Sequence, residues 1–278
     1  MGALPLHKVE FVHGTNAPRE TFVQNIAQNM ASAAQYELPT FKSKRAVLVA
    51  GGPSARDYVK EIHAASKEHE VWCVNGAHDW LRAHCGVRPT VCVVMDVHPV
   101  VDTWIKQPLH GVRYMLASQT NPLLLQRLIG AGVNVHLWHA ALDNAAHDMM
   151  GADATITAPA NTVGLHSLQL MLLSGIRHVT IYGMDSSHRP DADHAYDNSG
   201  QNAAQELEFV FQDQTYRATG TWAAQAQMFA DLYPRFVRAG MRIDVKGDGL
   251  LPAMWKAAHA NLIDELRSTH DHADQATR

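Results

Sequence analysis

Short apolar runs alternate with longer amphipathic stretches over most of the chain. RAVLVA (45–50), EVWCVN (70–75) and PTVCVVMD (89–96) are β-branched runs that give way to Gly-Gly, Asn-Gly and Asp respectively. VRYMLAS (112–118) and VNVHLWH (133–139) follow, separated by the helix-like LLLQRLIGAG. His178–Tyr182 and MRIDVK (241–246) complete the set. Helical stretches reach to about Ser66 and His84, and another runs from Val163 to Ser174 with Leu168, Met171 and Leu172 at core spacing. Strands alternating with helices of this length predict an α/β fold, a Rossmann-like doubly wound and mainly parallel sheet. Its strands are expected to start near Arg45, Val71, Val91, Val112, Val133, His178 and Arg242.

Three regions depart from that rhythm. Thr21–Ala34 has Phe22, Ile26, Met30 and Ala33 or Ala34 along one helical face, ahead of a connector at Leu38–Ser43. Residues 1–43 therefore read as an N-terminal helical arm, a candidate contact for a homo-oligomer. LEFVFQDQTYRA (207–218) alternates around Gln212-Asp213 as an inserted β-hairpin would, and a helix follows from Thr221 to about Arg238. The nucleotide-binding domain is expected over 44–256. Residues 257–278 read as a C-terminal helix with a polar, histidine-rich, frayed tail.

Composition narrows the function classes. Hydrophobic residues at 46% against 18% charged supply a core, and 23 basic against 27 acidic residues imply no strongly basic face for nucleic acid. No run of about 18 apolar residues is present, so no membrane span is expected. The N-terminus MGALPLHKVEFVHG lacks the apolar run of a signal peptide. The three cysteines, Cys73, Cys85 and Cys92, form no CxxC pair. That favours a reducing, cytoplasmic setting and no thiol-bound metal.

Ligands of open parallel sheets sit beyond the carboxyl ends of the strands, so those residues are the candidates. Gly51-Gly52-Pro53-Ser54 allows close backbone approach and can present helix amides to a phosphate, or can be an ordinary strand–helix turn. It is neither GxGxxG nor a Walker A loop. Asn75 can read a base or ribose, or can simply tolerate the left-handed turn before Gly76. Asp96 can accept ribose hydroxyls, hold a divalent ion, or cap its loop. Asp185, after Gly183, carries the same alternatives. A single polar cleft lined by Gly51, Asn75, Asp96, Gly164 and Asp185 is the expectation.

SSHRPDADHAYDN (186–198) is the densest polar segment. His188, Asp191, Asp193, His194 and Asp197 match no zinc or calcium spacing. A loop over the site presenting His194 and Tyr196 to a leaving phosphate is the sharper reading. His194 titrates near neutrality when unperturbed and so suits acid–base work, although a solvated loop histidine is equally ordinary among eighteen. There is no GxSxG, no HExxH and no paired CxxC.

VLVAGGPS, the strand ending in Asn75-Gly76, PTVCVVMD, and VTIYGMD followed by HAYD together resemble the 6-hydroxymethylpterin diphosphokinase MptE-like family, which includes bacterial motility accessory factors. They are more distantly similar to the bacterial sialyltransferases that use CMP-activated sialic acid. The likeness covers roughly residues 44–255. It implies a Rossmann-type nucleotide site at Gly51, Gly52, Pro53, Ser54, Asn75, Thr162, Gly164 and Gly183, with Asp185 in the matching Gly-x-Asp strand end. It also sets His194, in His194-Ala195-Tyr196-Asp197, where a tyrosine faces the leaving phosphate, which makes His194 and Asp185 the catalytic candidates and Tyr196 a nucleotide contact. The sialyltransferases' catalytic histidine would fall near Gly220–Thr221, where this chain has none. For a diphosphokinase the resemblance implies ATP and Mg²⁺, with Asp96 as the metal-side carboxylate. The expected function is transfer of a glycosyl or diphosphoryl group from a nucleotide-activated donor such as a nucleotide-sugar. The alternatives are pterin diphosphokinase and an inactive scaffold that retains the fold.

Overall fold

A computed structural model describes residues 3–11, 16–32, 34, 37–142, 155–196 and 205–276. Ala33 and Asp197, both named above, lie outside the described residues. In chain order the elements are β1 (Leu4–Pro5), α1 (Arg19–Met30), β2 (Arg45–Val49), α2 (Val59–Ala65), β3 (Glu70–Val74), α3 (Ala77–Trp80), β4 (Val91–Val94), β5 (Arg113–Ala117) and α4 (Pro122–Gly130). They continue with β6 (Asn134–Ala140), β7 (Ile156–Thr157), α5 (Val163–Leu173), β8 (His178–Tyr182), β9 (Glu206–Phe211), β10 (Gln214–Thr219), α6 (Gly220–Arg238), β11 (Arg242–Val245) and α7 (Leu250–Ala276).

Eight strands form one parallel sheet in the order β11-β8-β2-β3-β4-β5-β6-β7. The chain thus builds outward from β2 to β7, then returns to add β8 and β11 on the other side of β2. Both faces are covered, and each strand divides its side chains between them by the two-residue period. Ala46 and Leu48 join Trp72, Leu168, Phe229 and Leu251 in the layer under α5, α6 and α7. Val47 and Val49 join Cys73, Ile62, Leu81 and Leu125 in the layer under α2, α3 and α4. A buried Leu or Phe in either layer contributes about 1.5–3 kcal/mol. The α/β, Rossmann-like, doubly wound class read from the sequence is the observed fold.

The hairpin forms as expected, with Gln212 and Asp213 both left-handed at φ 48° and 63°. It is joined by β1, which pairs parallel to β9. Nor does the N-terminal segment hang free. Phe22 and Ile26 are buried as read, and Asn25 and Asn29 are buried on the same face. Asn29 Nδ2 donates to the Ser118 and Thr120 carbonyls at 2.8 and 2.6 Å, and Asn25 Nδ2 to those of Val97 and Gln119 at 3.3 and 3.1 Å. The boundary at 43 therefore separates an arm that is hydrogen-bonded to the loops after β4 and β5 of the same chain. The boundary at 256 needs correction, because it falls inside α7, which is continuous from Leu250 and anchored by Leu250, Leu251, Met254 and Leu262. The tail read as frayed is helical through Ala276. Among the described residues no helix is long and apolar enough to cross a membrane.

Asn29→Ala would leave two buried carbonyls unpaired, at a cost of about 1–3 kcal/mol. A urea midpoint shift corresponding to less than about 0.5 kcal/mol would show that α1 is held by its apolar contacts alone.

Candidate functional site

The order of strands reverses between β2 and β8, and the loops after these two strands meet there. Gly52 N–H donates to the Gly183 carbonyl at 2.6 Å. The Ser54 amide and hydroxyl donate to the Asp185 carboxylate at 2.8 and 2.5 Å. Asp185 is only 3% exposed, and burial pushes its pKa up to about 6 while the two Ser54 bonds pull the other way. Asp185 thus takes up the amide that the sequence offers to a phosphate. The helical turn after it, Pro53–Tyr58, is a 3₁₀ turn rather than the start of a long helix.

A second group lies on the β3 side. The Tyr196 ring packs against Gly51 and Gly76 so closely that a Cβ on either would come within 2.6 and 2.8 Å of it. Glycine at both positions is what leaves room for the ring. The segment bearing Tyr196 is tied down by Ala195 N–H on the Gly51 carbonyl at 2.8 Å. Arg56 adds Nε to the Ala195 carbonyl at 3.1 Å and Nη2 to that of His194 at 2.7 Å. Asn75 is left-handed at φ 46°, with its side-chain oxygen facing the Met95 amide at 3.4 Å.

A third group is the start of α5. Thr162 does not cap the helix; its hydroxyl accepts from Gln225 Nε2 at 2.8 Å. Gln225 in turn accepts from Ser186, so α6 joins the loop after β8 to the opening turn of α5. Gly164 lies against Met184 and Gln225.

Asp96 stands apart from these groups, two strands from β2. Its carboxylate accepts from the His98 amide at 2.8 Å, and burial raises its pKa. Among the described residues it belongs to no cluster of three metal-ligating groups. His188, Asp193 and Glu206 do come within 4.8 Å of one another. Here Asp193 holds His188 Nδ1 at 2.6 Å and Glu206 is ion-paired with Arg217. The cysteines are buried free thiols.

His194 is half-buried between Tyr196 and Trp222, with ring centroids 5.8 and 5.2 Å away. Burial pushes its pKa down to about 4, so the ring is neutral at physiological pH. It can offer a hydrogen bond there, but it does not carry a standing positive charge. Three residues that organise this edge were not singled out from sequence: Arg56, Trp222 and Gln225. Each lies in a helical turn with ordinary spacing, and only the fold brings it to the strand ends.

Eight parallel strands covered on both faces, with glycine turns meeting where the strand order reverses, define a Rossmann-like α/β protein. The chain belongs to the family described as 6-hydroxymethylpterin diphosphokinase MptE-like, whose model matches residues 20–191. A solved structure of the MAf glycosyltransferase from Magnetospirillum magneticum AMB-1 is similar at 13% identity and TM-score 0.60, over 91% of this chain. This chain spans 43% of that protein's length. A mammalian sialyltransferase is similar at 11% identity and TM-score 0.37, over 88% of both chains. The search of curated proteins finds no match.

Proposed function

We propose that the protein binds a nucleotide-activated donor in a crevice at the carboxyl edge of the sheet and transfers the donor's glycosyl group, leaving the nucleotide phosphate behind. The observation that carries this reading is the meeting of the β2 and β8 loops beside the opening turn of α5. With the Thr162 hydroxyl engaged by Gln225, the first-turn amides of α5 are the groups that would face a phosphate. Gly51, Asn75 and Tyr196 would contact the nucleoside, and His194, neutral and half-buried, would donate a hydrogen bond to the departing phosphate. Gly52, Pro53, Ser54, Gly183 and Asp185 would shape the wall. The likeness in fold to a glycosyltransferase supports the glycosyl reading.

Family membership favours a second reading, diphosphoryl transfer to a pterin from ATP. That chemistry would call on Mg²⁺, and Asp96 would contribute a single carboxylate to it.

A thermal-shift screen against CMP, UDP, GDP, ATP and their sugars, each with and without Mg²⁺ or Mn²⁺, separates the readings. A bound nucleotide-sugar at about 100 times its Kd adds about 2.7 kcal/mol, or roughly 5 °C in Tm. Stabilisation by a nucleotide-sugar without metal supports glycosyl transfer. Stabilisation by ATP only with Mg²⁺ supports the diphosphokinase. No shift with any of them returns the fold to a scaffold role.

A further inference from the structure

One cluster of side chains outside the strand-end site has the composition of a metal centre. An imidazole nitrogen of His188 and one carboxylate oxygen each of Asp193 and Glu206 lie within 4.8 Å of one another. Sequence spacing hides this trio, because its third member sits on another element, at the first residue of β9. The backbone sets the three in place. Arg189 and Ala192 exchange N–H bonds at 2.9 and 3.3 Å, closing a turn at Pro190-Asp191 that puts His188 opposite Asp193. His188 N–H donates to the Arg217 carbonyl at 2.7 Å, which ties this turn to β10, the strand paired with β9.

The histidine is suited to be a ligand. Its side chain is only 5% exposed, and Nδ1 faces an Asp193 carboxylate oxygen at 2.6 Å. Nε2 is buried with no hydrogen-bond partner among the described residues. Moving the ring proton from Nδ1 to Nε2 therefore gives up no bond at Nε2, and it leaves the Nδ1 lone pair turned to the carboxylate. Two carboxylates beside one neutral imidazole call for positive charge. Arg217 supplies some of it, since its Nη2 is bonded to a Glu206 carboxylate oxygen. That guanidinium is displaceable: Arg217 is exposed, and Glu208 lies directly across the β9–β10 ladder from it. On releasing Glu206 it keeps a carboxylate neighbour.

We propose that His188 Nδ1 and the carboxylates of Asp193 and Glu206 bind one divalent ion of the zinc class, with water in the fourth position. Zn²⁺ takes nitrogen and carboxylate ligands at about 2.0–2.2 Å, and three protein ligands with one water complete its tetrahedron. Drawing the ligand atoms together needs movement of side chains only, because Asp193 and Glu206 are both exposed. Mg²⁺ and Ca²⁺ prefer oxygen ligands alone, and at a mixed nitrogen and oxygen site Zn²⁺ outranks Mn²⁺. The ion joins the loop after β8 to the hairpin. Asp193 directly precedes His194, so this clip also holds the segment that carries His194 against Trp222. It calls for no nucleotide donor and stands apart from the glycosyl-transfer reading.

The test uses the full chain stripped of metal with EDTA. Calorimetric titration with Zn²⁺ is expected to show a site that Mg²⁺ and Ca²⁺ do not fill. Zn²⁺ at about 100 times its Kd should raise Tm by roughly 5 °C. Asp193→Asn and Glu206→Gln each change an exposed carboxylate, so the metal-free melt should stay where it is. Each should abolish the site and the rise in Tm, and His188→Gln should do the same. Zn²⁺ held by other histidines would survive in all three variants. Arg217→Gln removes the competing cation and should lower the Kd.

Absence of saturable Zn²⁺ binding, a site that persists in either carboxylate variant, or weaker binding in Arg217→Gln would overturn the proposal. So would a preference for Mg²⁺ or Ca²⁺ over Zn²⁺. The carboxylate variants decide the matter even if His188→Gln fails to fold.

Discussion

Gly183→Ala is expected to destabilise the fold severely. Gly183 ends β8 in the left-handed region at φ 67°, where an alanine costs about 1 kcal/mol on its own. The larger cost is steric. A Cβ there would lie 2.6 Å from the Ala50 carbonyl oxygen and 2.9 Å from the Ala55 Cβ. Neither neighbour can yield cheaply, because Val49 pairs with Tyr182 in the β2–β8 ladder and Gly52 N–H is bonded to the Gly183 carbonyl. Relief would open the junction where the strand order reverses. The total should exceed about 4 kcal/mol, a large part of the 5–15 kcal/mol that holds a typical domain. Gly175→Ala is the control: Gly175 is also left-handed, at φ 87°, but a Cβ there meets nothing within 4 Å. It should lose only about 1 kcal/mol. Circular-dichroism melts giving the two variants equal midpoints would show that the junction has slack.

The same junction shows how far the sequence could be read. The strands were legible because a parallel sheet buried on both faces demands near-continuous apolar runs, and RAVLVA or PTVCVVMD has no other use. Observed starts at Glu70, Arg113 and Asn134 lie one residue from those expected. The hairpin was legible through Gln212-Asp213, a turn that alternation on both sides made conspicuous. What periodicity does not carry is the direction of a side chain at a strand end. Asp185 stands where a ligand carboxylate would, yet its partner Ser54 lies 131 residues away and draws it inward. Asn25 and Asn29 share the buried face of α1 with Phe22 and Ile26, but polar residues are invisible to an apolar-stripe argument. The pairing of Leu4–Pro5 with β9 is too short to have a pattern at all. The start of α7 was obscured by Pro252, which the first turn of a helix tolerates. His188 and Asp193 were visible as a polar cluster. Only the fold showed that one nitrogen is held and the other left bare.

Stability between pH 4 and 7 is expected to be set by opposing buried groups, and replacing Asp185 should expose the balance. His166 is 1% exposed, held between the Thr157 hydroxyl and the Ala160 carbonyl, and burial pushes its pKa down to about 4. Its ordinary value is near 6.5. The unfolded chain therefore binds the proton more readily, and stability falls as pH drops from about 6.5 toward 4, by about 3 kcal/mol. His194 acts in the same direction with a smaller share, being only half-buried. Asp185 works against them. Its folded pKa of about 6 lies above the ordinary 3.8, so the folded state binds the proton more readily. Its contribution is largest below 3.8 and is lost as pH rises through 6, again by about 3 kcal/mol. Asp185→Asn can keep a side-chain oxygen on the Ser54 amide while removing the titration. The variant should therefore lose stability more steeply than the parent on acidification, the gap between them changing by about 2.4 kcal/mol from pH 7 to pH 4. Urea unfolding of both proteins across that range measures the gap directly. Parallel curves would mean that Asp185 titrates alike in the folded and unfolded chains, and that its carboxylate is not sealed beneath the turn.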